Sequence, residues 1–246
     1  MISFLIENIL NFFDYFHKRK IIKKIKTLNK RKVLHTVFDV GAHRGETVEL
    51  FLKNFEIVNL YSFEPSLDNF KVLSQKADFL KKKFTKANVF LENFALGKFE
   101  KELELNYLNE TSSSTIRELN EDSSYFKKKE KFFGKLKNKK ISIKQLKFKD
   151  YLIKKNISHI DLLKIDTEGY ELEVLKGLEE FISRVSVILF EHHYDNMIKK
   201  GYTFSDIHHL LKNNNFYRIF KIKMPFRRSF EYVYVRKINE SLSNNY

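Results

Sequence analysis

Residues 33–46 read VLHTVFDVGAHRGE, and their pattern decides the fold. Val33–Val40 is a mostly apolar run of strand length that closes on Asp39-Val40-Gly41. Gly41 permits a tight turn or a close backbone approach, and Gly45 lets the next helix start close to the sheet. Glu46 opens a segment of helical spacing that reaches Asn54. The chain has only 7 glycines in 246 residues, so two in one short loop need a structural reason. A strand, a glycine turn and a helix form the opening unit of a parallel α/β sheet.

The alternation continues outward from there. Val58–Phe63 is a second strand ending in Glu64-Pro65, and Ser66 is placed to cap a helix running to about Lys82. Further strands are expected over Asn88–Phe94, Ile141–Leu146, Ile160–Ile165 and Val185–Phe190. Helical segments are expected over Asp150–Lys155, Leu172–Ile182 and Phe204–Asn213. Glu100–Tyr107 alternates like a half-exposed antiparallel strand, and residues 109–138 read as a long polar surface loop with some helix. Tyr217–Ile222 and Glu231–Arg236 form a closing hairpin. Apolar strands separated by helices imply a Rossmann-like, doubly wound, mostly parallel sheet covered on both faces. In such a sheet the ligand lies outside the carboxyl ends of the strands. Those ends carry Asp39, Glu64, Asn93, Asp166 and Glu191. N-capping explains Asp166 well and Asp39 in part, but not Glu64, where Ser66 is the better cap.

Composition narrows the class. Apolar residues make up 43% of the chain, enough for a packed core. The absence of Cys excludes disulfides, a Cys nucleophile and Cys-ligated metal sites. Lys and Arg number 46 against 31 Asp and Glu, a net charge of +15. That balance suits acidic partners, but the abundance of Lys, Asn, Ile, Phe and Tyr also fits an AT-rich genome, and no motif of a specific nucleic-acid module is present.

Residues 1–32 form an N-terminal amphipathic and basic extension, 33–238 the main domain, and 239–246 a tail. Ile2, Leu5, Ile6, Ile9, Phe12, Phe13 and Phe16 recur at helical spacing, and Ile21, Ile22, Ile25 and Leu28 continue as a stripe among lysines. The extension is either an interfacial helix on an anionic membrane, through residues 1–28, or a helix docked on the domain or on a second copy. It has neither the charge pattern nor the cleavage site of a secretion signal, and no stretch is long enough to span a bilayer. The expectation is a cytoplasmic protein, with the inner membrane face as a peripheral contact.

The loop after the first strand is neither G-x-G-x-x-G nor G-x-x-x-x-G-K-[ST], so both phosphate-cradling signatures are missing. Glu64 sits where Rossmann-type sheets place an acid on a ribose diol. A ligand with ribose hydroxyls but no phosphate points to S-adenosyl-L-methionine, whose carboxylate suits a glycine loop and a helix N-terminus.

Five stretches occur in a characteristic order: Phe38-Asp39-Val40-Gly41-Ala42-His43-Arg44-Gly45, Ser62-Phe63-Glu64-Pro65, Asn93-Phe94-Ala95-Leu96-Gly97, Ser112-Ser113-Ser114-Thr115, and Leu163-Lys164-Ile165-Asp166-Thr167-Glu168-Gly169-Tyr170-Glu171. This ordered set resembles the FkbM-type methyltransferases, a branch of the class I S-adenosylmethionine-dependent fold, over about residues 33–236. The resemblance implies a seven-stranded sheet with an antiparallel last strand. It also implies O-methylation of a hydroxyl on a sugar, glycan or secondary metabolite. By position it puts Asp39, Gly41 and Gly45 at the methionine end, Glu64 on the ribose, and Asn93 with Ala95 on the adenine. Ala42, His43 and Pro65 join them as cofactor contacts. Asp166, Glu168 and Gly169 then line the place where donor meets acceptor, and Ser112–Ser114 close near it. The family usually has Asn where this chain has His43.

A hydroxyl acceptor needs a base. Candidates are Asp166, Glu168, His43, His192 and His193, with Asp166, Glu168 and His192 taken as catalytic. Asp166 and Glu168 share a side if extended, and close carboxylates raise one another's pKa. The plainer reading makes Asp166 a helix cap and Glu168 a partner of a backbone amide. Glu191, His193 and Asp195 would share a strand face, but without the regular spacing of a metal site, so no metal is expected. A small-molecule or glycan acceptor is the expected partner. A nicotinamide-dependent dehydrogenase and a basic membrane or nucleic-acid adaptor are the alternatives.

Overall fold

The computed structural model of the chain describes residues 16–28 and 33–237. A leading helix α1 (residues 16–28) is followed by β1 (Val33–Val40), α2 (Glu46–Asn54), β2 (Glu56–Phe63), α3 (Leu67–Lys83) and β3 (Asn88–Glu92). A middle section holds β4 (Ala95–Gly97), β5 (Lys101–Leu108), the short β6 (Glu118–Leu119), α4 (Ser124–Phe133) and β7 (Asn138–Lys147). Next come α5 (Phe148–Lys154), β8 (Ile160–Ile165), α6 (Glu171–Gly177), β9 (Val185–His193) and the short β10 (Ile198–Lys199). The chain closes with α7 (Phe204–Asn213), β11 (Phe216–Lys223) and β12 (Ser229–Arg236).

The main sheet has seven strands in the order β11-β12-β9-β8-β1-β2-β3. β1, β2, β3, β8 and β9 run parallel, and β12 pairs antiparallel with both β9 and β11. Alternate residues feed opposite faces. Phe38, Leu163 and Phe190 join the core beneath α5, α6 and α7, while Val37, Leu162 and Leu189 join the core beneath α1, α2 and α3. Chain order steps outward from β1 to β3, then returns to β8 on the other side of β1. The crevice of such a sheet therefore opens at the carboxyl ends of β1 and β8.

The extension docks on this domain. Ile21, Ile22 and Ile25 are buried against the α2 and α3 face, and His17 pairs with Glu231 of β12. That stripe is covered by protein and is not open to a bilayer. The rest of the expected interfacial segment, residues 1–15, lies outside the described residues, as does the tail from 238 on. Among the described residues no helix is long and apolar enough to cross a membrane.

Three expected elements differ. The strand over Asn88–Phe94 stops at Glu92, because Asn93 turns its amide onto the carbonyls of Glu64 and Pro65 at 2.8 and 3.2 Å. Ala95–Gly97 then enters a separate sheet, β4-β7-β5. The helix over Leu172–Ile182 ends at Gly177 and continues as a 3₁₀ segment, Glu179–Arg184, after Glu179 adopts φ 49°. Residues 109–138 are more ordered than a loop. Ser123 caps α4 by accepting from the Phe126 amide, and β6 pairs with β10. Phe126, Leu136, Met197 and Ile198 build a small core of their own, which forms a cap beside the strand ends.

Candidate active site

A cavity of about 640 Å³ opens at the carboxyl edge of the sheet, between the strand ends, α1 and the cap. That volume suits a small-molecule ligand. Its lining includes Gly41, Ala42, His43, Glu64, Pro65, Ala95, Asp166 and Glu168 among the residues singled out in the sequence.

The loop after β1 is held from several sides. Gly41 has φ +83°, and a Cβ there would sit 1.8 Å from the Asp166 carbonyl oxygen. The glycine thus lets two strand ends approach each other rather than making room for a ligand. Gly45, also at φ +83°, brings α2 against Leu73 and Lys76 of α3, not against the sheet. Buried Lys164 ties the edge together. Its ammonium donates to the Gly41 carbonyl at 3.0 Å and lies 3.0 Å from Asp39 and 3.5 Å from Asp166. Burial opposes its charge, but Asp39 and Asp166 outweigh that and raise its pKa. Asp39 is wholly buried beneath the loop, outside the cavity lining, so its part is to hold Lys164. Burial raises its pKa against the pull of Lys164.

Glu64 accepts from the His43 amide through Oε2 and from the Ser66 amide through Oε1, each at 2.9 Å. The Asn69 side chain adds a third donor, and a carboxylate has about four lone-pair sites, so acceptor capacity is left for the cavity. Burial pushes its pKa up to about 7, with those amides and His43 pulling the other way. Asn93 is absent from the lining because its side chain holds the Glu64-Pro65 turn; Phe94 and Ala95 reach the cavity instead.

Across the cavity lies a denser cluster. His193 Nε2 is 3.2 Å from Glu168 and 3.3 Å from Glu191, and Nδ1 is 3.5 Å from Asp195. Burial works against a charged imidazole here, but the three carboxylates prevail and push its pKa up to about 10. Burial drives Glu168 the other way from an ordinary carboxylate, up to about 8, with His193 opposing and Asp166 adding to the rise. Asp166 and Glu168 both reach the cavity through a turn, not an extended pleat, and Glu168 sits at φ 49°. That strained backbone is clamped. Thr115 donates to the Glu168 carbonyl at 2.6 Å and Arg117 to the Gly169 carbonyl at 3.2 Å. Neither plainer reading holds. The amides of Thr167 and Gly169 bond to Glu171, and the N-cap of α6 is Tyr170, with no side-chain capping bond.

His192 does not belong to this cluster. β9 runs on to His193, so pleating sends Glu191 and His193 to the cavity and His192 to the opposite face. There its ring stands edge-on to Tyr194 at 4.9 Å and Phe204 at 5.8 Å, and burial lowers its pKa to about 4. Glu191, His193 and Asp195 do come together, with both ring nitrogens at ion-pair distance from carboxylates. Among the described residues no group has the arrangement of a metal site. Sequence reasoning quoted Lys164 and Thr115 without giving either a role. The signal for Lys164 was a lysine inside an apolar buried strand, which demands a charged partner.

Comparison with known proteins follows the same lines. The family model described as the methyltransferase FkbM domain matches residues 39–218. Among solved structures, a methyltransferase FkbM from Methylobacillus flagellatus KT superposes with a TM-score of 0.52 at 13% identity, covering 83% of this chain and 44% of that one. The chain thus spans less than half of that relative. Magnesium protoporphyrin IX methyltransferase from Synechocystis PCC 6803, with bound SAM, gives a TM-score of 0.49 at 11% identity over 90% of this chain and 78% of that one. No curated protein matches the chain. The domain match covers most of the chain and coincides with the strand ends that build the cavity: this protein belongs to the FkbM methyltransferase family.

Proposed function

We propose that the chain binds S-adenosyl-L-methionine and transfers its methyl group to a hydroxyl of a sugar, glycan or similar metabolite. The observation that carries the cofactor half is Glu64, a buried carboxylate on the cavity wall held in place by the His43 and Ser66 amides, where a ribose diol would present two donors. The loop beside it supports the reading against a dinucleotide. The amides of Gly41 and Ala42 go to the Phe63 carbonyl, that of Gly45 to the Ala42 carbonyl, and those of His43 and Arg44 to carboxylates, so none is left for a pyrophosphate.

The bound sulfonium supplies an activated methyl group with a neutral thioether as leaving group. The protein then supplies alignment, exclusion of water and a proton acceptor. Glu168 is that acceptor. As the acceptor oxygen took the methyl group in place of its proton, that proton would pass to the Glu168 carboxylate. A base with a pKa near 8 keeps enough driving force to take it. The imidazolium of His193 keeps the resulting charge changes balanced by facing three carboxylates at once. Lys128 and Arg227 on the cavity wall, with the rings of Tyr125 and Phe132, suit a hydroxylated acceptor bearing negative charge.

Titration calorimetry with S-adenosylhomocysteine tests the cofactor half. The wild type binds it, and Glu64→Ala weakens binding by roughly 10- to 100-fold through loss of charge-assisted bonds to the diol. Equal affinity in the two proteins would remove Glu64 from the site. Transfer of labelled methyl into a pool of glycans and sugars, with the methylated atom located by mass spectrometry, tests the acceptor half. Label found only on nitrogen would overturn it.

A further inference from the structure

A methionine tail carries a carboxylate, and the Gly41–Gly45 loop has no amide free to receive it. The first turn of α2 is also unsuited, because Glu46 places its own carboxylate there. A cation on the cavity wall matches the charge of that carboxylate best. Five Lys and Arg side chains line the cavity: Lys18, Lys128, Lys129, Lys164 and Arg227. Lys164 is committed to Asp39, Asp166 and the Gly41 carbonyl. Lys129 is committed to Glu110 and Ser113. Lys128 belongs to α4 in the cap, and Arg227 acts on Tyr125 and Glu191 on the acceptor side.

Lys18 is different. It lies on α1, one turn before Ile21 and Ile22, which line the cavity with Thr47, Leu50 and Phe51 of α2. Among the described residues no hydrogen bond or ion pair engages its ammonium, and it is half-buried. Its place is fixed on both sides. His17 pairs with Glu231, and Ile21, Ile22 and Ile25 are buried in the domain core. We propose that Lys18 is the partner of the methionine carboxylate, so that helix α1, outside the matched domain, completes the cofactor site. This rests on the S-adenosylmethionine reading above.

Two ligands separate the possibilities. S-adenosylhomocysteine has the amino-acid tail, and 5′-methylthioadenosine keeps the adenosine and thioether but lacks that tail. For Lys18→Ala, calorimetry is expected to show S-adenosylhomocysteine weakened about 10- to 100-fold, with 5′-methylthioadenosine bound as in the wild type. Lys18→Arg restores most of the loss. Unchanged affinity of Lys18→Ala for S-adenosylhomocysteine would overturn the proposal. So would equal weakening of both ligands, which would mark Lys18 as a prop for the helix. If the wild type bound neither ligand, the cofactor reading itself would fall, and the proposal with it.

Discussion

The two halves of the cavity share one sheet edge but handle charge in opposite ways. Around the loops after β1 and β2 each charged group has its own partners: Glu64 has two backbone amides and the Asn69 side chain, and Lys164, reaching across from β8, has Asp39, Asp166 and the Gly41 carbonyl. On the β8–β9 side, Glu168, Glu191 and Asp195 share a single imidazole. A group with fixed partners holds a ligand in one geometry. Carboxylates that outnumber their cation leave a proton easy to move. The contrast assigns binding to the first side and proton transfer to the second. Its sharpest test is Glu168→Gln. Turnover is expected to fall about 10²–10⁴-fold, while calorimetry finds S-adenosylhomocysteine bound as before. Weakened binding with intact turnover would reverse the assignment.

Gly41→Ala tests whether the two sides are welded where the strands meet. The new Cβ would press on the backbone oxygen of Asp166, which cannot swing aside, at a φ of +83° that disfavours any side chain. Strain and overpacking together predict a loss of about 3 kcal/mol, read as a fall in Tm of roughly 6–12 °C. A variant as stable as the wild type would mean that the strand ends are not held rigidly together.

What the sequence made legible follows from how local each signal is. The bounds of β1, α2, β8 and α7 were readable because a run of one period and its stop residues sit side by side. The count of seven strands and the antiparallel last one came with the family resemblance, not from the pattern of residues, and neither gave the strand order. The sheet β4-β7-β5 was not legible, since Ala95–Gly97 pairs with Gln145–Lys147 far along the chain. The cap was missed for the same reason, although Ser123 ahead of buried Phe126 was a readable helix start. At the site, the acids at the strand ends were visible because carboxylates interrupt apolar runs. The choice between His192 and His193 was readable in principle. Once Glu191 faces the cavity, alternation brings His193 with it and turns His192 away. Lys18 could not be found, because nothing in a basic amphipathic helix tells which lysine meets a cavity.

The pH profile sharpens the comparison further. The Glu168 pKa is raised, so the base is lost to protonation as pH falls, and turnover should climb about tenfold per unit up to about pH 8, then level off. The imidazolium of His193 pulls that pKa down. Removing it in His193→Gln should therefore move the inflection to higher pH, by about one unit. A shift to lower pH, or none, would show that Glu168 and His193 do not titrate together. Stability runs the opposite way. Glu64 and Glu168 are raised in the folded chain, so their contribution is complete below the unfolded carboxylate range and fades as pH rises through about 7 and about 8. The ligand-free protein should accordingly melt earlier at pH 9 than at pH 5.

The smallest expected effect falls on the neighbouring histidine. His192 is buried, and its ring packs edge-on against Tyr194 and Phe204 while Nδ1 meets no partner. Burial keeps it neutral, with a pKa near 4, so it neither holds a charge nor answers to pH in the working range. Phe preserves the flat ring and its aromatic contacts and removes an unpartnered polar atom. His192→Phe should change stability by less than about 1 kcal/mol and turnover by less than about twofold, as measured by melting and by labelled methyl transfer. A tenfold loss of turnover at unchanged stability would place a group from the α7 face in the chemistry. The separation of one side that binds from one that moves the proton would then have to admit a third participant from across the sheet.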